Sequence, residues 1–348
     1  MQRIVNFHSI IEEAWLAYDS SRPVDSVQDI SAMVSTNHVF RVKLTDGDSV
    51  IAKLSYFGRF EHFKEDHSII NSLAINLPDP FENFLARSLT KSGEVFTYRF
   101  KNSWLDAWVV FYNPIKKRKL LPKRLNEEHI FELGKQVAKF HKACEKVRGI
   151  LPGHSKTLRI DLEHLKEILQ TENGKYEHRG HIDETLRQIE LFHENSVALN
   201  TDSFHSIPVF IDWNIGNFSV TSSNKFFSRW DYDWFRMSSR VMDFYFFSRV
   251  VSDIGDRTDF SYVVGPLMED RFILFLKEYH KEFPLTRPEV LFIKEAYRFF
   301  LLNYVVKDGR YFFHEIYATK LQREVFENYL PSLDEIFKPD KLLKALDL

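Results

Sequence analysis

Apolar and polar residues alternate along much of the first hundred positions, and a spacing near 3.6 dominates most of the later chain, so strands are expected first and helices afterwards. Val39 to Leu44 and Ser49 to Leu54 flank Asp46-Gly47, a strong short signal for a hairpin. In the register of a two-residue turn, Phe40, Val42 and Leu44 share a face with Ser49, Ile51 and Lys53, and Arg41 and Lys43 take the other face. Glu61 to Ala74 reads as a helix with Ile69, Ile70 and Leu73 on one side. The apolar run Ala107 to Phe111 reads as a strand that Tyr112-Asn113-Pro114 ends. Beyond it, helices are predicted over Glu127 to Val147, Leu158 to Leu169, Asp183 to Ala198, Asp270 to Glu282, Arg287 to Val306 and Thr319 to Tyr329. A second hairpin is predicted within that helical half, from Gly216 to Thr221 and from Phe226 to Asp231 around Ser222-Ser223-Asn224-Lys225.

The second hairpin carries the candidate chemistry. With its loop centred on Asn224, Asn217 lies opposite Asp231, and side chains so placed are about 5 Å apart on one face. A small hard cation such as Mg2+ takes oxygen ligands and is commonly held by one or two protein groups plus substrate phosphates, which an Asn/Asp pair suits. Asp212 would sit in the loop leading into this hairpin, free to orient an attacking hydroxyl. The same three residues also fit ordinary hairpin and turn positions. In the first hairpin, Lys53 points with the apolar face, where a buried ammonium needs a partner. Glu61 and Glu65 on the next helix are candidates, and escape of Lys53 past the strand end to solvent is the other reading. Trp213, Trp230, Tyr232 and Trp234 surround the proposed site with the Asp233 carboxylate, a set that suits a cationic amino alcohol or a stacked sugar, or simply fills a core. Arg236 and Arg240 either meet an anionic acceptor or pair with Asp243.

Taken together, these motifs resemble the aminoglycoside phosphotransferase and choline kinase branch of the protein-kinase-like fold. Ser35-Thr36-Asn37-His38-Val39 looks similar to the family's loop ending in Ser-Asn, which places Asn37 among the nucleotide-binding candidates. The strand lysine maps onto Lys53 and the helix carboxylate onto Glu65, or less closely onto Glu61. Leu133-Gly134 through His141 looks like a family helix, and the signature His-Gly-Asp-x-x-x-x-Asn maps onto Phe210-Ile211-Asp212 through Asn217, with the metal aspartate at Asp231. Asp243 resembles the aspartate that braces the catalytic loop. The resemblance covers roughly residues 30 to 310 in order. It implies an α+β, two-lobed fold: an N-terminal antiparallel-sheet lobe with one main helix over residues 1–112, and a larger, mostly helical C-terminal lobe over 113–348 carrying the catalytic hairpin. It further implies ATP and Mg2+ as cofactors, adenine bonded to backbone near Val110 and Tyr112, Asp212 as base, and a small-molecule hydroxyl as acceptor, with Trp213, Asp233, Trp234 and Arg236 as candidate acceptor contacts. The chain departs from the pattern where Phe210-Ile211 replaces His-Gly and where the loop from Ser31 to His38 contains no glycine. Those departures motivate the competing reading, a nucleotide-binding or interaction module with impaired catalysis.

Composition narrows the alternatives. A formal charge of -2 and a pI near 6.7 give no field that would draw nucleic acid or acidic membranes. The single cysteine, Cys144, excludes an internal disulfide and suits a reducing cytosol, so a cytoplasmic location is expected. The stretch Met1 to Ile10 is too polar for a signal peptide, and no apolar run reaches the roughly 18 residues of a membrane span. Neither a Gly-x-x-x-x-Gly-Lys-Ser/Thr nor a Gly-x-Ser-x-Gly motif occurs. The basic run from Lys116 to Lys119 reads as a solvated loop, and neither His178/His181 nor His141/Cys144 has the second ligand pair a zinc site needs. With only residues 233–241 between Tyr232 and Met242, no long peptide-docking segment comes after Asp231, which disfavours a protein kinase.

Overall fold

The computed structural model describes residues 6–31, 37–255 and 261–348. Chain order begins with helix α1 (Phe7–Tyr18), strands β1 (Val24–Asp29), β2 (His38–Leu44) and β3 (Ser49–Ser55), helix α2 (Phe60–Asn76), the short strands β4 (Thr90–Lys91) and β5 (Glu94–Val95), then β6 (Thr97–Lys101) and β7 (Asp106–Tyr112). Five of these form an antiparallel sheet in the order β1-β2-β3-β7-β6. The one-main-helix expectation missed α1, whose buried Ile10, Ile11, Ala14 and Trp15 fall on one helical stripe and cover one face of the sheet.

The first hairpin forms, one residue out of the expected register. Gly47 adopts φ +92°, the left-handed conformation glycine takes without steric cost. This closes a three-residue loop with Leu44 N–H donating to Asp48 C=O at 2.9 Å. The pairs are therefore His38 with Leu54, Val39 with Lys53 and Phe40 with Ala52. Phe40, Val42 and Leu44 share their face with Val50, Ala52 and Leu54 and pack on α1, whereas Lys53 turns to the opposite face with its partner Val110. The slip takes the ammonium out of the apolar face and aims it at the rest of the molecule.

That remainder is mostly helical: α3 (Glu127–Val147), α4 (Leu158–Gln170), α5 (Glu172–Glu177), α6 (Ile182–Ala198), α7 (Phe244–Val251), α8 (Asp270–Glu282) and α9 (Arg287–Phe300), which runs on as a π-helical segment Leu301–Lys307. The end of the chain adds α10 (Gly309–Phe312), α11 (Glu315–Glu324), α12 (Leu330–Ile336) and α13 (Pro339–Ala345). Short strands interrupt the helices where the site is built. Strands β8 (Ile207–Val209) and β11 (Arg236–Ser238) pair with each other, and β9 (Phe218–Val220) pairs with β10 (Phe226–Arg229). A large core joins α2, α3 and the C-terminal helices, and a smaller one lies between α1 and the sheet. No helix among the described residues is long and apolar enough to cross a membrane.

Candidate active site

The loop Phe210 to Asn217 leaves β8 and enters β9 through a 3-10 turn at Ile215–Asn217. Its first turn is tight: Asp212 N–H reaches Phe210 C=O at 2.6 Å, and Trp213 N–H reaches Ile211 C=O at 2.9 Å. Ile211 has φ +59°, a strained conformation for a β-branched side chain. The buried Asp243 holds it there, since one carboxylate oxygen accepts Phe210 N–H at 3.0 Å and Ile211 N–H at 2.6 Å. The other oxygen of Asp243 meets His141 Nε2 at 3.0 Å, and Tyr279 bonds the far side of that ring. Asp243 thus braces the loop, and the sequence pair His141/Cys144 belongs to this brace and to the core.

Asp212 is held from two sides, by Asn214 Nδ2 at 2.6 Å and Asn217 Nδ2 at 3.0 Å. Burial, and then the charge of Asp231, push its carboxyl up to about 7. Because Asn217 faces the Asp212 carboxylate and carbonyl, it must present its NH2 group to them, which turns Oδ1 away from Asp212. The ladder does not set Asn217 against Asp231 as expected. The loop centres on Ser223, with Thr221 N–H donating to Lys225 C=O and Val220 paired with Phe226, two out of the expected register; an irregularity between Phe226 and Ser228 takes back one, so that Trp230 N–H donates to Asn217 C=O. Asp231 comes next at φ +68°. Burial alone would raise its carboxyl, but Lys53 and Arg229 hold it below the usual carboxylate range.

Lys53 is buried and reaches Asp231 Oδ1 at 2.9 Å and Asp233 Oδ1 at 2.5 Å. Burial opposes its charge, yet the two carboxylates outweigh that cost and raise its pKa. The expected partners on α2 are engaged elsewhere. Glu65 accepts Ser155 N–H at 2.8 Å, and Glu61 faces Arg99 at 3.8 Å. Asn37 donates its Nδ2 to the second oxygen of Asp233. The glycine-free loop between Ser31 and Asn37 lies outside the described residues.

Other expectations are corrected by packing. Val110 is paired on both sides, with Lys53 and Thr97, and Tyr112 pairs with Ile51 and bridges to Ser88. Phe111 C=O and Asn113 N–H are likewise taken, by Leu89 and Arg87. The backbone at Val110 and Tyr112 therefore offers an adenine no free edge, and the first N–H past Pro114 that no sheet neighbour takes belongs to Ile115. Trp213 is fully buried against Phe226 and Phe247, and Trp234 packs among Phe246, Phe300 and Tyr304, so neither presents a face to an acceptor. Arg236 pairs with Asp161 at 2.8 Å and Arg240 with Glu289 at 2.7 Å, not with Asp243.

Asp233 and Arg236 do line a cavity of about 400 Å3 between α2, α4 and the π-helical segment, with Asp66, Lys156, Tyr304 and Lys307. One residue packed on the Phe210 to Asn217 loop was not singled out in the sequence: Arg229, wholly buried, lies over the rings of Phe210 and Trp213 at 4.7 and 4.1 Å and donates to Asp212 C=O at 3.0 Å. Its place in β10, two residues before Asp231, is the only signal the chain offered.

No family model matches the chain, and no curated protein does. Solved structures do match over nearly the whole chain. A microcompartment-associated aminopropanol kinase is 16% identical, covers 95% of this chain and 99% of its own, and gives a TM-score of 0.61. The GDP complex of an aminoglycoside 2′-phosphotransferase-IIIa is 11% identical, covering 95% and 100% with a TM-score of 0.55. An amicoumacin kinase in complex with AMP-PNP, Ca2+ and Ami is 12% identical, covering 92% and 88% with a TM-score of 0.54. The chain has the kinase-like fold that these small-molecule phosphotransferases share.

Proposed function

We propose that the protein is an ATP- and Mg2+-dependent phosphotransferase that moves the γ-phosphoryl group to a hydroxyl of a small molecule. The observation that carries this reading is the convergence, from three separate parts of the chain, of Lys53, the Asp212/Asn217 loop and Asp231, with Asp212 and Asn217 bonded at 3.0 Å. The similar solved structures are small-molecule kinases and nucleotide complexes, which agrees with it. Asn217 Oδ1 and the Asp231 carboxylate form a hard-oxygen donor pair that fits Mg2+ and would hold it; when bound, the cation neutralises phosphate charge. Lys53 contacts the nucleotide phosphates, and Asp212 orients the acceptor hydroxyl and takes its proton. A carboxyl held up to about 7 by burial and by Asp231 is matched to that task near neutral pH. The adenine edge bonds the chain at or beyond Ile115.

The acceptor occupies the cavity beside Asp233, whose volume of about 400 Å3 suits a metabolite-sized ligand. Its cations are largely neutralised in place, since Lys156 meets Asp66 at 2.5 Å and Lys307 meets Asp161 at 3.4 Å. That balance favours an amino alcohol or a sugar-like hydroxyl compound over a strongly anionic acceptor. Residues 1–112 form the nucleotide lobe and 113–348 the catalytic and acceptor lobe of a protein working in the cytoplasm. Asp212→Asn is expected to bind Mg2+-nucleotide like the parent and to lose about 10²–10⁴-fold in kcat, measured by a coupled ADP-release assay over a panel of amino alcohols and sugars. An Asp212→Asn protein as active as the parent would contradict the base assignment. A parent that binds nucleotide but turns over no acceptor would favour the non-catalytic module.

A further inference from the structure

We infer that Asp233 has replaced the α2 glutamate as the permanent anchor of Lys53, so that the phosphate-contacting lysine is positioned from the helical lobe and not by helix α2. This rests on the phosphotransferase reading of Lys53 and goes beyond it. Three observations carry it. Each acidic residue that α2 turns toward the region has another partner: Glu61 with Arg99, Glu65 with Ser155, and Asp66 with Lys156 at 2.5 Å. Asp231 cannot be the lasting partner, because its carboxylate is the group offered to the cation. Asp233 contacts Lys53 at 2.5 Å through one oxygen, and its other oxygen accepts from Asn37, so it is fixed by two groups of the sheet lobe at once. An ion pair buried this far needs its remaining lone pairs satisfied to be net favourable, and the Asn37 amide does that.

The consequence is mechanical. In a site anchored from α2, lysine placement depends on where that helix sits. Here Asp233 also lines the acceptor cavity, so the lysine, the nucleotide phosphates and the acceptor share one carboxylate. Asp233 is a positioning residue: it acts on the nucleotide through Lys53.

Two readouts test this on the full chain. Acylation of Lys53 by a small amine-reactive ester, followed by peptide mass spectrometry, needs no nucleotide. Asp233→Asn is expected to speed it about fivefold, and Glu65→Gln to leave it within about twofold of the parent, as loss of one partner of a buried charge pair demands. Calorimetry with AMP-PNP and Mg2+ is expected to show about tenfold weaker binding for Asp233→Asn, partial recovery in Asp233→Glu and no change for Glu65→Gln. Parent-like acylation in Asp233→Asn, or faster acylation in Glu65→Gln, would overturn the anchor assignment. Absence of nucleotide binding by the parent, with the acylation pattern intact, would overturn the phosphotransferase reading and leave the Lys53–Asp233 anchor supported. Should Asp233→Asn fail to fold, Asn37→Ala loosens the same carboxylate from the sheet side and is expected to raise acylation of Lys53; an unchanged rate would count against the anchor.

Discussion

Ile211 stands where the related signature has glycine, and its φ of +59° shows what that glycine is for: the loop must turn through the left-handed region to present Asp212. An isoleucine there costs roughly 1–3 kcal/mol, offset here by burial of its side chain and by the two N–H bonds to Asp243. The Phe210-Ile211 pair thus makes a tight turn under strain that Asp243 holds in place. A second residue-scale consequence concerns His67. Phe63 C=O, 2.8 Å from Nδ1, can only accept, so Nδ1 carries the proton and Nε2 accepts from Tyr112 O–H at 2.6 Å. Burial pushes this imidazole down to about 3, whereas an unfolded histidine titrates near 6.5. The folded state therefore refuses a proton that the unfolded state takes up, and stability is lost as pH falls below about 6.5 toward 3. Between pH 6.5 and 5 the loss amounts to about 2 kcal/mol from this group. Chemical denaturation across that range should show a shallower pH slope in His67→Gln than in the parent; equal slopes would assign the acid sensitivity elsewhere. The clustering of Asp212, Asn217 and Asp231 was legible in the sequence because two of them flank one hairpin and the third lies in the loop that leads into it. Asp233 as the lysine partner was not, because which of several carboxylates a long flexible side chain selects depends on where three distant segments meet.

At the scale of elements, the helices were readable nearly to the residue where amphipathic periodicity was strong, as in α3 and α8, and the hairpins were found but mis-registered. Both register errors arise at the turn. A left-handed Gly47 closes a three-residue loop in the first hairpin, and the second turns about Ser223 in place of Asn224, with a bulge near Phe227 making up half of the difference; alternation alone reveals neither. The π-helical stretch Leu301–Lys307 was also unreadable, since its apolar spacing passes for ordinary helix, yet it lines the cavity beside Asp233 through Tyr304 and Lys307. Helix α3 packs against α8 so closely at Gly134 that an added Cβ would lie 2.6 Å from Phe275 C=O. Gly134→Ala would gain up to about 1 kcal/mol of helix propensity but must push two packed backbones apart, which costs about 1–3 kcal/mol. A net loss of roughly 1–2 kcal/mol is expected in urea denaturation. A more stable Gly134→Ala protein would mean that the α3–α8 interface yields more readily than its packing implies.

On the scale of the whole molecule, the sheet packs one face on α1 in a core of its own while α2 shares the large core of the helical body, and the links from the sheet side to the site include charged and polar groups: Lys53 to Asp231 and Asp233, and Asn37 to Asp233. Such a seam suits a site that must admit a nucleotide, because the charge pairs can exchange partners while both cores stay packed. Three aspartates, Asp212, Asp231 and Asp233, crowd around Lys53 and Arg229 there, and burial together with the charge of Asp231 pushes Asp212 up to about 7 and Asp233 up to about 6, a crowding that a bound cation would relieve. Nucleotide phosphates alone would add to that crowding. The most direct test is a calorimetric titration of the purified protein with AMP-PNP, with and without Mg2+, repeated on Asp231→Ala. The expected result is binding that Mg2+ strengthens by about tenfold or more and that Asp231→Ala abolishes. Binding of equal strength without the cation, or none at millimolar nucleotide, would contradict a phosphoryl-transfer site built on Lys53, Asn217 and Asp231.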